Sequence, residues 1–83
     1  MEKEFITAEW LRKQGFQDAD TDNRHFEKRN NGAICEVHQN RISGAWAFGI
    51  YNSVERYKMG LQNESGYPLN YTKEIKNLAP SFF

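Results

Sequence analysis

The chain has 83 residues, with 11 basic and 11 acidic side chains and a formal net charge of zero at pH 7. A chain of this length has one small core, so we expect residues 1–83 to form a single domain. Zero net charge provides no overall field to attract nucleic acid or an anionic membrane, and no stretch has the length of an apolar membrane span. One cysteine, Cys35, excludes an internal disulfide. Together these features predict a cytoplasmic protein that does not bind membranes.

The first predicted element is a short helix that follows Thr7. Thr7 is of the residue type that caps helix N-termini, and Ile6 and Leu11 occupy the positions of a hydrophobic staple. Gly15 suits the left-handed residue that ends a helix, and Phe16 can fold back onto it. We therefore expect two helical turns between Thr7 and Gly15.

Two strands joined by a tight turn are predicted next. Residues 17–23 contain three aspartates and lack the glycine and glutamate of a calcium-binding loop, so we expect an ordinary loop. Residues 24–29 then form a strand with Phe26 inward, and residues 30–32 (Asn-Asn-Gly) form a hairpin turn. Residues 33–39 are the next strand, and its inward side chains are predicted to be Ala33, Cys35 and Val37.

The uncharged stretch 42–51 is the candidate central strand. Alternation places its bulky side chains on one side, which we call the aromatic face. Its small side chains and Tyr51 lie on the other side, which we call the small-residue face. A two-residue turn at residues 40–41 pairs Gln39 with Ile42 and Val37 with Gly44. The predicted aromatic-face residues of this strand are Ile42, Gly44, Trp46, Phe48 and Ile50.

The first hairpin permits two registers. A turn centred on residues 31–32 pairs His25 with His38 and Glu27 with Glu36. A turn centred on residues 30–31 pairs His25 with Glu36 and avoids directly opposed like charges, so we favour it. In both registers the small-residue face gathers the same polar side chains, which are His25, Glu27, Arg29, Glu36 and His38.

The second half of the chain is less regular. Residues 54–59 fit either a fourth strand or a turn of helix, and both remain open. Residues 60–66 are polar and rich in Gly, Asn and Ser, which predicts a loop, and Pro68 keeps the chain extended after it.

A C-terminal helix is predicted over residues 71–79, where the apolar side chains recur at helical spacing. Asn70 or Thr72 can cap it, and Pro80 ends it. The predicted fold is therefore α+β: a three- to four-stranded antiparallel meander with an N-terminal and a C-terminal helix packed on its aromatic face.

Residues 6–16, Ile-Thr-Ala-Glu-Trp-Leu-Arg-Lys-Gln-Gly-Phe, resemble a family opening. Small uncharacterised proteins of Bacteroidetes and of their phages and mobile elements begin with Thr-x-Glu-Trp-Leu…Gly-Phe and continue into an aromatic β-meander and a short helix. Residues 71–79 depart from that family's closing helix, which is rich in His, Gln and Leu. The resemblance implies an accessory protein of a mobile element, a class in which many small chains bind and block a larger protein. It implies no catalytic chemistry.

The first function hypothesis is a non-catalytic protein-binding module, an inhibitor of a host protein of the anti-defence type that acts by steric occlusion. Its partner is a larger host protein or complex, and a homodimer through the sheet face is a further expectation. Tyr and Arg often anchor interfaces, and the chain has more aromatic rings than a small core needs. The candidate contact residues are His25, Arg29, Glu36, His38, Tyr51, Arg56, Tyr57 and Tyr67.

Two alternatives come from other classes. A metal-dependent enzyme would use His25, Glu36 and His38 with Glu27 beside them, but no pocket or motif supports it, so we predict no catalytic residue, metal or cofactor. Cys35 is expected to be a buried hydrophobe rather than a nucleophile. A nucleic-acid-binding accessory protein would use Tyr51 and Tyr57 as stacking groups together with the basic residues Arg24, Lys28, Arg29, Arg41, Arg56 and Lys58.

Overall fold

The computed structural model describes residues 4–83. Its five strands form one antiparallel sheet in the order β1-β2-β3-β4-β5, which confirms the α+β class and the meander but gives more strands than the three or four expected. Within this part of the chain no helix is long and apolar enough to cross a membrane. The elements in chain order are α1 (Ala8–Lys13), β1 (Gln17–Asp18), β2 (His25–Asn30), β3 (Ala33–Gln39), β4 (Trp46–Tyr51), α2 (Val54–Met59), β5 (Glu64–Leu69), α3 (Thr72–Leu78) and a 3₁₀ turn (Pro80–Phe82).

Helix α1 forms as its capping residues predict. The side-chain oxygen of Thr7 accepts a hydrogen bond of 3.1 Å from the backbone N–H of the third helical residue, and the staple residues Ile6 and Leu11 are both buried. Gly15 has φ of +94°, the left-handed conformation that favours glycine. The N–H of Phe16 then donates to the carbonyl of Leu11 at 3.0 Å, which turns the Phe16 ring back into the core.

The core lies on the aromatic face, between the sheet and the two helices α1 and α3. This arrangement is broadly compatible with the predicted packing of the terminal helices. Burial of large apolar side chains is the main favourable term for a domain of this size. The cluster draws on both helices, the C-terminal turn and the middle strands, and it includes Leu11, Phe16, Phe26, Val37, Trp46, Phe48, Ile75 and Phe82.

The β3–β4 hairpin is shifted by four residues from the predicted register. Val37 pairs with Phe48, whereas a two-residue turn at residues 40–41 pairs it with Gly44. Strand β4 begins only at Trp46. Because four is an even number, every side chain keeps its side of the sheet, so Trp46 and Phe48 lie on the aromatic face as predicted.

The shift arises because a longer loop, residues 40–45, joins the two strands. The side-chain oxygen of Asn40 accepts hydrogen bonds from the backbone N–H groups of Ile42 (2.8 Å) and Ser43 (3.0 Å), a turn that asparagine favours. The N–H of Gly44, at φ +76°, donates to the Asn40 carbonyl at 2.9 Å. The prediction of Ile42 as a core residue is therefore wrong, since its side chain is 98% exposed.

The favoured register of the first hairpin is also wrong. His25 pairs with His38 and Glu27 with Glu36, which is the register with like charges opposed. Residues 31–32 both have positive φ, 51° and 83°, as the favoured two-residue hairpin turn requires. The turn geometry therefore decides the register, and the two carboxylates find a shared partner elsewhere.

Residues 54–59, for which the sequence left a fourth strand and a turn of helix open, form the helix α2. The Ser53 hydroxyl accepts a hydrogen bond of 3.2 Å from the Arg56 N–H at its start, and Gly60 ends it at φ +72°. The loop predicted over residues 60–66 is wrong in part, because β5 begins at Glu64 and pairs with β4. Its sequence lacks apolar alternation, so only pairing with β4 identifies it as a strand.

Helix α3 is confirmed, with a different cap from the two predicted. The N-cap residue is Tyr71 rather than Asn70 or Thr72. The carboxylate of Glu74 accepts hydrogen bonds from the backbone N–H groups of Asn70 (3.0 Å) and Tyr71 (2.8 Å). This is the glutamate half of a capping box.

The chain end is held against the outer edge of β2. The ammonium group of Lys28 donates to the carbonyls of Gln14 (2.7 Å) and Phe82 (2.6 Å). The Asn30 amide donates to the Ser81 carbonyl at 2.7 Å. Lys28 therefore joins the end of α1 to the C-terminal turn.

We predict that Lys28→Met lowers the free energy of unfolding by about 2 kcal/mol, because two carbonyls lose a charged donor. Chemical denaturation measures this change. The matched control is Lys58→Met on the exposed side of α2, for which we expect a change within about 0.5 kcal/mol. Equal effects of the two substitutions contradict the assigned role of Lys28.

Candidate functional site

Helix α2 lies across one end of the small-residue face. The rings of Tyr57, on α2, and Tyr51, on β4, meet edge to face with centroids 5.0 Å apart. Ile34, which pairs with Tyr51 across the strands, is fully buried. This end of the small-residue face is therefore covered. Tyr51, predicted as a contact residue, is 6% exposed and has little surface to offer a partner.

Two carboxylates are opposed beneath α2 and share one hydroxyl group. Glu27 and Glu36 are directly paired across β2 and β3. The Tyr57 hydroxyl donates to Glu27 Oε2 at 3.0 Å and is 3.5 Å from Glu36 Oε2. His25 Nε2 lies 2.9 Å from Glu36 Oε2, close enough for an ion pair when the imidazole is protonated, although the contact lacks hydrogen-bond geometry. His25, Glu36 and Tyr57, which are predicted contact residues, thus form one network of contacts with Glu27.

The network acts as an attachment point for α2. Burial, and then the hydrogen bond to Glu27, raises the pKa of Tyr57 to about 12. The phenol therefore stays protonated at neutral pH and serves as a hydrogen-bond donor. None of the side chains of α2 is fully buried, so this contact is a substantial part of what holds the helix to the sheet.

The hypothetical metal ligands do not converge. The rings of His25 and His38 meet edge to face with centroids 6.2 Å apart, and the Tyr57 hydroxyl occupies the space between the carboxylates. Within residues 4–83 no group of three or more His, Cys, Asp and Glu side chains is arranged to hold a metal ion. Cys35 is buried, as predicted, and burial raises the pKa of its thiol to about 12, which leaves it a protonated hydrophobe.

Beyond α2 the same face forms an open groove of ≈ 630 Å³, which we call the β4–β5 groove. Its floor is Ala47, and Gln62 and Tyr67 stand at its sides. The Gln62 amide donates to the Tyr51 hydroxyl at 3.3 Å and lies over Gly49, where a Cβ would collide with it. The absence of a side chain at Gly49 thus leaves the space that the Gln62 amide occupies. His38 and Ser65 also line the groove.

The loop of residues 40–45, here called the Ile42 loop, stands beside this groove. Its Ser43 hydroxyl lies 3.2 Å from the Tyr67 hydroxyl, and the Gln39 amide donates to the Gly44 carbonyl at 2.9 Å. The loop thus joins β5 as well as the ends of β3 and β4. Sequence reasoning missed this loop because residues 42–51 were assigned wholly to a strand. The signal for a loop was Asn40, which is followed two residues later by Ile-Ser-Gly.

Three of the basic residues of the nucleic-acid hypothesis make polar contacts within the chain. Lys28 binds backbone carbonyls on the β2 edge. Arg41 forms a 2.8 Å ion pair with Asp22, and the Arg56 guanidinium donates to Asn63 at 3.0 Å. The charged groups of these three side chains therefore all have partners within residues 4–83.

We predict that Glu27→Gln lowers the pKa of Tyr57 from about 12 toward its ordinary 10.0, because an amide stabilises the neutral phenol less than a carboxylate does. The folded state holds the phenol proton more tightly than the unfolded state, so stability falls as pH rises from about 10 to about 12. Ultraviolet titration of the phenolate, with Tyr57→Phe subtracted, measures the pKa. Glu64→Gln, on exposed β5, is the control, and an equal fall in both variants contradicts the network.

No protein-family model, no curated protein and no solved structure matches this chain. The role of this face is therefore inferred from its geometry alone. That geometry comprises a polar network beneath α2, an open groove without Asp, Glu, Lys or Arg, and a hydrogen-bonded loop with an exposed aliphatic side chain.

Proposed function

We propose that the chain is a non-catalytic protein-binding module that inserts the Ile42 loop into an apolar pocket of a larger protein. The observation that carries the proposal is Ile42 itself, which is 98% exposed at the tip of a well-ordered loop. Exposure of an aliphatic side chain is unfavourable in water, and the core is complete without it. Contact with a partner is the use that this position supports best.

The loop is preorganised for insertion. Asn40, through its side chain, holds the N–H groups at the tip, and its own N–H donates to the Ala45 carbonyl at 2.8 Å. The Ala45 N–H donates to the Ser43 hydroxyl at 3.2 Å. A loop that is ordered before binding loses little conformational entropy on binding. Its hydrogen bonds therefore favour affinity as well as folding.

The surroundings of Ile42 resemble the composition of an interface. Tyr67, 56% exposed, stands next to the loop, and His38 lies in the adjoining groove. Arg41 follows the loop start but is paired with Asp22. An apolar centre beside an aromatic ring and a polar rim is the usual anatomy of a protein interface. Of the predicted contact residues, His38 and Tyr67 belong to this surface.

The sheet edges favour contact through the loop over strand addition. β5 is an edge strand that carries Glu64 and Pro68, and both residue types discourage pairing of an edge with another strand. The other edge is partly covered by β1 and by the C-terminal turn held by Lys28. These features also count against a homodimer through edge strands.

A protruding loop that fills a pocket prevents other ligands from entering it. This is the steric occlusion expected of a small inhibitor, and the resemblance to accessory proteins of phages and mobile elements supports a host protein as the target. Zero net charge and the neutralised Arg41 support an interaction with weak dependence on salt.

The test is quantitative capture from host lysate with three baits: the natural chain, Ile42→Ser, and Met59→Ser as a matched exposed apolar control (Met59 is 70% exposed). We expect a protein retained by the natural chain and by Met59→Ser but reduced about tenfold or more with Ile42→Ser, because a buried aliphatic side chain contributes about 1.5–3 kcal/mol. Both variants should match the natural chain in unfolding free energy.

Binding of the purified target is then measured at low and high salt. A partner held equally by all three baits contradicts the assignment of the loop. Capture of nucleic acid with affinity that falls steeply with salt supports the accessory nucleic-acid-binding alternative instead.

A further inference from the structure

We infer that the β4–β5 groove binds an extended, uncharged peptide segment of the partner that receives Ile42. The inference rests on the proposed function and adds the chemistry of a second contact. It starts from three polar groups at one site. Within residues 4–83 the side chains of His38 and Ser65 make no hydrogen bond, and Gln62 uses only its nitrogen, toward Tyr51.

These groups match the requirements of a peptide backbone. The Gln62 oxygen accepts a hydrogen bond, and the Ser65 hydroxyl donates or accepts one. A neutral imidazole at His38 donates from one ring nitrogen and accepts at the other. A peptide group presents one donor and one acceptor, and both need partners when they leave water. The groove therefore offers complementary groups on two of its sides.

The floor permits close approach of a backbone. Ala47 presents only a methyl group there, while the Tyr67 ring forms an apolar wall 56% exposed to solvent. A volume of ≈ 630 Å³ lies within the range of ligand-binding clefts. The groove is open to solvent rather than enclosed, so an extended segment can reach it without any rearrangement of the fold.

Charge defines the class of segment. None of the described residues that line the groove is Asp, Glu, Lys or Arg. A charged side chain placed there loses hydration without gaining a counter-ion. The Ser43–Tyr67 contact of 3.2 Å joins the groove to the Ile42 loop, so one partner can contact both.

The experiment does not require the partner. A phage-displayed library of random linear heptapeptides is selected on the immobilised natural chain, and enriched peptides are synthesised and titrated. We expect the enriched peptides to be uncharged. Their affinity should fall about tenfold or more for the Ala47→Leu variant, because the larger side chain fills the groove. It should change little for Ala47→Ser, which keeps its size. Ile42→Ser should bind these peptides normally, since Ile42 is outside the groove.

Thermal unfolding establishes that Ala47→Leu is folded, and the double substitution His38→Ala with Ser65→Ala tests the same groove without added bulk. The inference is overturned if no peptide is enriched, if binding survives both groove variants, or if the selected peptides are predominantly charged. Peptides lost with Ile42→Ser but retained by the groove variants also overturn it while supporting the proposed function of the loop.

Discussion

The hydrogen bonds that Asn40 makes at the end of β3 determine how the middle of the sheet is assembled. Its side-chain oxygen holds the N–H groups of two loop residues, so the chain completes residues 40–45 before β4 begins. Val37 then faces Phe48, and the ring of Trp46 on β4 meets that of Phe26 on β2, with centroids 6.1 Å apart. The same loop leaves Ile42 in solvent. One local interaction therefore both aligns the core and creates the most exposed feature of the candidate surface.

The two sides of the sheet have different roles. The aromatic face is filled by α1, α3 and the C-terminal turn, and Lys28 joins the ends of these segments. Among residues 4–83, one end of the small-residue face is covered by α2, a helix without a fully buried side chain. The opposed carboxylates Glu27 and Glu36 are unfavourable neighbours, but the Tyr57 hydroxyl gives them a shared donor. Repulsion between strands is thus offset by a contact that also attaches α2.

The candidate site was only partly accessible to sequence reasoning. Alternation correctly assigned His38 to the small-residue face, and Tyr67, a predicted contact residue, is 56% exposed beside the Ile42 loop. Their association depends on β5, whose sequence contains no strand pattern and which takes its place through pairing with β4. Tyr51 is of a residue type that is common at interfaces, but α2 covers it. The Tyr51 ring is buried by α2, which comes after it in the chain. The residues adjacent to Tyr51 in sequence therefore do not reveal its burial.

By itself the sequence determined those features that depend on a few adjacent residues. These are the Thr7 cap and Gly15 stop of α1, the side to which each residue of β3 and β4 points, and the helical spacing of α3. Only the tertiary structure decided the register of both hairpins, the number of strands, and which surface stays open. Capping and alternation follow from bond geometry within a turn or a strand, so they are encoded locally. Alternation does not determine register, because a slip of an even number of residues preserves it, and the turn conformations at residues 31–32 and 40–45 decide between the alternatives. The number of strands and the coverage of each face depend on packing between segments far apart in the chain.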